Sequence, residues 1–196
     1  MPSRLKSVTF IELLIAIILL AVVILAINDI DIFSRHHIIS SDQRAKVQND
    51  VSRCLEHITK NASNATGNET SYGANTTVYI SPDSTNTTTL SFFTDTNGNG
   101  LRDTGGEDYW ISYNLSNNTL IYCNQCPNAA CAVCSGSEDV LAKDITAFSA
   151  AKDFTKGNYM NVSITGCWDP SKTCGTSTNP SVNMSTTLTL PSLSTN

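Results

Sequence analysis

The sequence predicts an α+β protein in which a long N-terminal helix packs on an antiparallel β-sheet head. Three observations support this class. Residues 8–27 are apolar or small except for Glu12, and the helical pattern then continues without Gly or Pro to about Lys60. From Val78 onward, short apolar or alternating runs rich in β-branched and aromatic residues are typical of strands. One helix and one head of ordinary size account for 196 residues.

The apolar run is long enough to cross a membrane. It contains twenty residues, Val8–Ile27, and a helix of that length measures roughly 30 Å, the thickness of the hydrocarbon core. A carboxylate in that setting costs about 2.5–3.5 kcal/mol on insertion scales. A secretory signal has a shorter apolar region of roughly 7–15 residues, and a plain anchor has no use for an acid. Glu12 is therefore expected to have a function and a partner.

A short basic leader, residues 1–7, precedes this run and carries Arg4 and Lys6. By the positive-inside rule these charges keep the N-terminus in the cytoplasm and place everything after Ile27 outside it. Disulfides form in that compartment. The seven cysteines of the chain are consistent with this orientation.

The leader and the string Val8-Thr9-Phe10-Ile11-Glu12 together resemble the prepilin-type N-terminal motif of the type IV pilin and type II secretion pseudopilin superfamily. In that family a dedicated peptidase removes the leader, and the mature chain usually starts Phe-Thr-Leu-Ile-Glu. The resemblance implies a cut between Ser7 and Val8, with Glu12 pairing with the free amine of a neighbouring subunit during assembly. Ser7 stands where the family usually has Gly, and Val8 stands where it usually has Phe. These two differences affect how efficiently the peptidase is expected to cut the chain.

The resemblance implies a structural subunit with no enzymatic activity. Its implied partners are other pilin or pseudopilin subunits, the prepilin peptidase, the inner-membrane assembly platform and, before assembly, membrane lipid. Its implied location is the bacterial inner membrane, single-pass, followed by a periplasmic pseudopilus or a surface pilus. The order of strands and loops in the head is similar to minor, J- or W-like subunits. Two alternatives stay open: a membrane-tethered thiol oxidoreductase, and an adhesin or DNA-uptake tip protein.

Charge and motifs exclude other classes of function. The net charge of −5 and pI near 5.0 argue against a nucleic-acid partner. The three histidines, His36, His37 and His57, all lie on the predicted helix, so the head lacks the His needed for Ser–His or Cys–His catalysis. No Gly-rich phosphate loop precedes a helix.

The chain divides into a leader, residues 1–7, a transmembrane or filament-core helix, residues 8–27, an amphipathic stem, residues 28–60, and a head, residues 61–196. On the stem, Val47, Val51, Leu55 and Ile58 recur at helical spacing, and Cys54 beside them is expected to be a buried thiol. The predicted strands of the head are Val78–Ile80, Leu90–Phe93, Tyr109–Leu115, Leu120–Tyr122, Met160–Ile164 and Met184–Leu190, with Val140–Phe148 as a further short strand. Residues 115–119 predict a hairpin turn.

A loop near Asp95 has the spacing of a calcium-binding loop. Asp95, Asn97 and Asn99 alternate, Gly100 is sixth, and the Leu101 carbonyl and Asp103 follow. An EF-hand needs a bidentate Glu at the twelfth position, which here is Gly106, so Glu107 or Asp108 would have to complete the cage. Ca²⁺ binding and a solvated hairpin loop are both left open, and no other cofactor is expected.

The cysteines form two groups. Cys123, Cys126, Cys131 and Cys134 have the pattern C-x2-C-x4-C-x2-C, for which two structural disulfides, a zinc site and a redox-active pair are the three readings. The compartment favours disulfides, with a connectivity that spacing does not determine. Cys167 and Cys174 are expected to close a small loop containing Trp168. Cys54 is then the unpaired residue.

Nine Asn-x-Ser/Thr triplets, the first of them at Asn61, are scattered along the chain. Such triplets are glycan acceptors in some secreted proteins. In a chain this rich in Asn, Ser and Thr, chance is the simpler explanation.

Overall fold

The computed structural model describes residues 9–65, 78–81, 89–97, 108–153 and 159–190. Within these ranges the α+β class is confirmed: one helix, α1 (Phe10–Ala62), is followed by eight strands. The chain divides into two compact units, residues 1–42 and residues 43–196. The helix contributes its first part to one unit and its last part to the other.

The eight strands form two antiparallel sheets in the second unit. Their bounds are β1 (Val78–Ser81), β2 (Thr89–Thr94), β3 (Tyr109–Ser116), β4 (Thr119–Cys126), β5 (Glu138–Lys143), β6 (Ile145–Asp153), β7 (Tyr159–Cys167) and β8 (Ser181–Thr189). The first sheet has the order β1-β2-β3-β4-β5, and the second has the order β6-β7-β8. Each strand therefore lies beside its sequence neighbour, as expected for an antiparallel meander.

The last part of α1 packs on both sheets. Its apolar stripe, predicted from Val47, Val51, Leu55 and Ile58, is buried, and these side chains share one core cluster with residues of both sheets. The helix approaches β7 closely at Gly166, where a Cβ would lie 2.9 Å from Val47 Cγ1 and 2.9 Å from Val51 Cγ2. Glycine at this position lets the helix and the strand come into contact.

The hairpin predicted at residues 115–119 is confirmed. Ser116 pairs with Thr119, and the two residues between them, Asn117 and Asn118, have φ angles of 49° and 57°. Positive φ at both positions is characteristic of a type I′ turn, which Asn adopts more readily than most residues. Strand β4 continues beyond the predicted Tyr122 to Cys126, so that Cys123 and Cys126 both belong to a strand.

The prediction of one strand over Val140–Phe148 is wrong. Two strands occupy this segment, β5 at the edge of the first sheet and β6 at the edge of the second. Asp144 separates them with a φ of 64°, a left-handed conformation that interrupts the extended chain. The head expected as one sheet therefore contains two.

Candidate assembly helix and cysteine cluster

Glu12 takes part in a capping box at the start of α1. Its carboxylate Oε2 accepts hydrogen bonds from the backbone N–H of Thr9 at 2.8 Å and from the Thr9 hydroxyl at 3.0 Å. In return, the Glu12 N–H donates to Thr9 Oγ1 at 3.3 Å, and the Thr9 carbonyl accepts the first helical bond, from Leu13, at 3.2 Å. This reciprocal pattern satisfies N–H groups that a helix N-terminus otherwise leaves unpaired.

The capping box is a feature that the sequence analysis missed. The motif T-x-x-E immediately before an apolar run was available as a signal. The isolated chain thus gives Glu12 partners within its own first turn. Ser7 and Val8, the residues expected to flank the processing site, lie outside the described residues.

The helix after Glu12 carries an exposed apolar surface. Every large hydrophobic side chain from Phe10 to Ile39 is exposed, and Phe10 itself is 78% exposed. The helix is long and apolar enough to span a membrane, with its most apolar window near the N-terminus. Beyond Ile27 the surface becomes more polar, and an Asp31–Arg35 ion pair at 3.0 Å joins successive turns. The apolar part of the helix is thus a candidate membrane span by its length and composition.

A polar network that the sequence did not indicate connects α1 to the first sheet. Asn61 Nδ2 donates to the Tyr113 hydroxyl at 2.8 Å and to the His57 carbonyl at 3.0 Å. The same hydroxyl lies 3.0 Å from His57 Nδ1. The His57 ring also packs edge-on against Tyr122, with 4.6 Å between centroids. Asn61, the first of the Asn-x-Ser/Thr triplets, is therefore a structural residue in the last turns of the helix.

Burial shifts the pKa values of the titratable side chains in this contact between α1 and the first sheet. It raises the pKa of Tyr113 well above its usual value and lowers the pKa of His57, which Lys60 and Arg53 lower further. Cys54, fully buried on the same helix, has its pKa raised to about 12, again chiefly by burial. Because the thiolate is the reactive form, this cysteine is an inert core thiol at neutral pH.

The four clustered cysteines form two nested disulfides. Cys123 is bonded to Cys134 and Cys126 to Cys131, with Cα–Cα distances of 5.8 Å and 5.2 Å. The outer bond joins strand β4 to the segment that leads into β5, and the inner bond closes the turn between them. The spacing of the four cysteines did not determine which of them pair. The structure shows that the inner pair lies within the loop closed by the outer pair.

Aromatic rings cover this cluster. Phe93 and Trp110, in edge contact at 5.5 Å, form a small hydrophobic cluster with Cys123, Cys126 and Cys131. This cluster is separate from the main core. The disulfides therefore replace part of the apolar packing that the end of the first sheet would otherwise need.

The remaining disulfide joins Cys167 to Cys174 and closes the loop after β7. Asn179, 3% exposed, holds this loop: its Oδ1 accepts the Asp169 N–H at 2.8 Å, and its Nδ2 donates to the Asp169 carbonyl at 2.9 Å. Trp168 is half-buried against the main core, and Lys46 Nζ lies 5.0 Å from its ring centroid. The packing of Trp168 is intramolecular.

The calcium-loop residues are only partly within the described ranges. Asn99, Leu101, Asp103 and Glu107 lie outside them. Of the others, Asp95 follows the bridge between Thr94 and Ala65, and its N–H donates to the Asn64 carbonyl at 3.2 Å. Asp108, 6% exposed, accepts the Thr96 N–H at 2.9 Å and so ties the two ends of the loop together. Calcium binding stays a prediction.

Compared with known proteins, the chain matches no family model, no curated protein and no solved structure.

Proposed function

We propose that the protein is a structural, minor subunit of a type IV pilus or type II secretion pseudopilus. In this proposal α1 first holds the subunit in the inner membrane. After removal of the leader by the prepilin peptidase, the inner-membrane assembly platform inserts the helix into a filament with other subunits. The head then lies on the filament surface.

The observation that carries the proposal is the position of Glu12 at the start of an exposed apolar helix. Its carboxylate is capped by Thr9 within the same chain. This capping reduces the cost of placing the acid in lipid before assembly, since two hydrogen bonds replace water. A neighbouring subunit that brings a positively charged amine to this point would add a charge pair that neither lipid nor the isolated helix offers.

The large apolar side chains from Phe10 to Ile39 support the same proposal. They are exposed, and from Phe10 to Ile27 they cover all sides of the helix. A helix that is apolar all round is buried in a membrane or in a bundle of similar helices. A filament core supplies such a bundle, with no water between the helices.

The experiment compares three substitutions at the start of the helix in cells that contain the assembly machinery. Glu12→Gln keeps a side-chain acceptor for Thr9 and removes the charge, Glu12→Val removes both, and Thr9→Ser keeps the cap as a matched control. Incorporation is measured by recovery of the chain in sheared filaments, and membrane insertion by fractionation.

If an intersubunit charge pair drives assembly, Glu12→Gln and Glu12→Val both insert in the membrane and both fail to enter filaments, whereas Thr9→Ser enters them normally. Normal incorporation of Glu12→Gln would show that the charge is dispensable and would remove this role for Glu12. Native material that keeps residues 1–7 would contradict the class itself. N-terminal sequencing and intact mass detect that outcome.

A further inference from the structure

Strand β8 is an edge strand that lacks the features by which proteins usually prevent edge-to-edge pairing. It ends the second sheet, because within the described ranges it pairs only with β7. It has nine residues, no charged side chain and no proline, and its register with β7 contains no irregularity. An unprotected edge of this kind is a template for a further strand.

The other three edge strands of the two sheets are protected. Strand β1 has only four residues. Strand β5 carries three charged residues, and β6 carries two together with a shift of register against β7. These charged residues are Glu138, Asp139, Lys143, Lys152 and Asp153. Because short length, charge and bulges all block an edge, β8 is the edge at which another chain is expected to pair.

Backbone hydrogen bonds show which residues of β8 face its open side. The Cys167 N–H donates to the Asp144 carbonyl at 2.9 Å, toward β6. The next N–H, of Trp168, donates to the Pro180 carbonyl at 3.1 Å, toward the start of β8. Because bonding alternates along antiparallel strands, every second residue of β8 directs its N–H and C=O away from β7. These residues are Ser181, Asn183, Ser185, Thr187 and Thr189.

The side chains of the second sheet indicate which strand fits this open edge. Strands β7 and β8 both carry the pattern Asn-x-Ser-x-Thr on their outer face, at residues 161–165 and 183–187. In the sheet the two triplets face each other in antiparallel order. Thr187 Oγ1 donates to Asn161 Oδ1 at 2.7 Å, and Asn183 Nδ2 donates to Thr165 Oγ1 at 2.6 Å. The partner that β8 already has therefore presents the same three side chains as β8 itself.

We propose that β8 pairs antiparallel with β8 of a second copy of this chain, with Ser185 on the two-fold axis. In this register Asn183 of each copy lies opposite Thr187 of the other, which repeats the Asn–Thr pairing found between β7 and β8. Val182 lies opposite Leu188 in the same way. The five outward-facing residues of each strand then exchange about ten backbone hydrogen bonds. No like charges meet across the contact, because β8 has none.

The symmetry of this contact determines what it joins. A two-fold interface uses the same surface on both copies and closes at two. The two heads of an antiparallel pair run in opposite directions, so they are not successive subunits of one polar filament. The pairing thus provides a contact between assemblies. It is separate from the contact through α1 in the proposed function and does not depend on it.

Cross-linking of single added cysteines tests the register, with the full chain in an excess of detergent micelles. The unmodified chain offers no reactive thiol, because six cysteines are in disulfides and Cys54 is buried. Ser185→Cys places two thiols at the axis, about 5 Å apart, whereas Thr189→Cys places them roughly 27 Å apart. A short bismaleimide should cross-link Ser185→Cys at least about 10-fold faster than Thr189→Cys, since only the axial pair is within its reach.

Thr187→Pro, added to the Ser185→Cys chain, tests the backbone contact. The Thr187 N–H faces the open edge, so a proline there removes no backbone bond to β7 but blocks a further strand. Cross-linking should fall to the rate of Thr189→Cys. Glu12→Gln in the Ser185→Cys chain is the control, because it changes the assembly helix alone and should leave the rate unchanged. Far-UV circular dichroism verifies that each variant is folded.

Equal rates for Ser185→Cys and Thr189→Cys would overturn the proposal, because random collision would explain both. An undiminished rate in folded Thr187→Pro would overturn it as well, since the backbone edge would then not be used. Loss of cross-linking with Glu12→Gln would assign the contact to α1 and would equally reject pairing through β8. If Thr187→Pro does not fold, the comparison of positions 185 and 189 decides alone.

Discussion

The protonation state of His57 affects how α1 packs on the first sheet, because the His57 ring lies in that contact. Its Nδ1 lies 3.0 Å from the Tyr113 hydroxyl, and its ring contacts Tyr122. Burial, Lys60 and Arg53 lower its pKa, and Asp139 opposes them. The folded chain therefore favours the neutral imidazole more strongly than the unfolded chain does, for which the pKa is about 6.5.

This preference predicts a loss of stability in acid. Between the lowered pKa of His57 and about 6.5, the unfolded state binds a proton that the folded state does not, so the free energy of unfolding rises with pH across this window. As pH falls below about 6.5, the contribution of the neutral ring is lost. Urea unfolding at pH 7.5 and pH 5 should show a smaller pH dependence for His57→Gln than for the unmodified chain.

His36→Gln is the control for this experiment, because His36 is exposed on the first unit. It should leave the pH dependence unchanged. If His57→Gln keeps the full pH dependence, another group is responsible and the role of His57 in acid sensitivity is wrong.

A second prediction at the scale of single residues concerns the contribution of the Tyr113 hydroxyl to stability. The hydroxyl accepts a hydrogen bond from Asn61 and lies in a fully buried position. Tyr113→Phe leaves the half-buried Asn61 amide and His57 ring without this partner and should cost about 0.5–1.5 kcal/mol of unfolding free energy. Tyr122→Phe keeps the ring contact with His57 and serves as the comparison. Equal effects of the two substitutions in urea unfolding would contradict the role of the Tyr113 hydroxyl.

At the scale of elements, the contact between α1 and β7 depends on the lack of a side chain at one glycine of the strand. Gly166 is buried, and the Val47 and Val51 methyl groups occupy the space in which a Cβ would stand. The helix therefore approaches the second sheet more closely than a side chain on the strand would permit. The helical spacing of Val47 and Val51 predicted that they are buried. It did not indicate that they pack against Gly166, which lies over a hundred residues further along the chain.

Gly166→Ala should destabilise the head by about 1–3 kcal/mol, the usual cost of overpacking a core. Val47→Ala removes one of the two opposing methyl groups and should recover part of that loss in the double variant. The measurement is a double-mutant cycle on urea midpoints. If the two effects simply add, Gly166 and Val47 are not in steric conflict and the packing described for this contact is wrong.

The change of sheet at Asp144 is a second element-scale feature. A single residue with φ of 64° separates β5 from β6 and lets one continuous segment serve both sheets. Asp144→Gly should be tolerated, whereas Asp144→Val should cost about 1–3 kcal/mol, the range for a non-Gly residue held in a sparsely populated conformation. Thermal unfolding of the two variants compares them. Equal melting temperatures would argue against a left-handed corner at residue 144.

At the scale of the whole molecule, covalent links are concentrated in the second unit. All seven cysteines lie in the described residues, six of them in disulfides and Cys54 alone in the core. The disulfides close loops at the end of the first sheet and after β7. Together with the core under α1, they brace the second unit.

Thiol counting tests this arrangement. The folded, unreduced chain should incorporate no alkylating reagent, because Cys54 is fully buried and its pKa is raised to about 12. Denaturation without reduction should expose one thiol, and denaturation with reduction all seven. Intact mass after each treatment gives the count. Three or more thiols in the denatured, unreduced chain would show that a disulfide described here is not formed.

The amino-acid sequence determined the features that depend on near neighbours: the long helix and its apolar first half, the Asn117–Asn118 turn and most of the strands. Local periodicity and turn chemistry suffice for these, because the interacting residues are a few positions apart. It also predicted that the cysteines would face an oxidising compartment. The pairing of Cys123 with Cys134, the division of the head into two sheets and the network around His57 were decided by the tertiary structure alone. The cysteine pairing depends on how β4 and the segment leading into β5 come together. The two sheets and the His57 network depend on distances between residues far apart in the chain, which become defined only when the core packs.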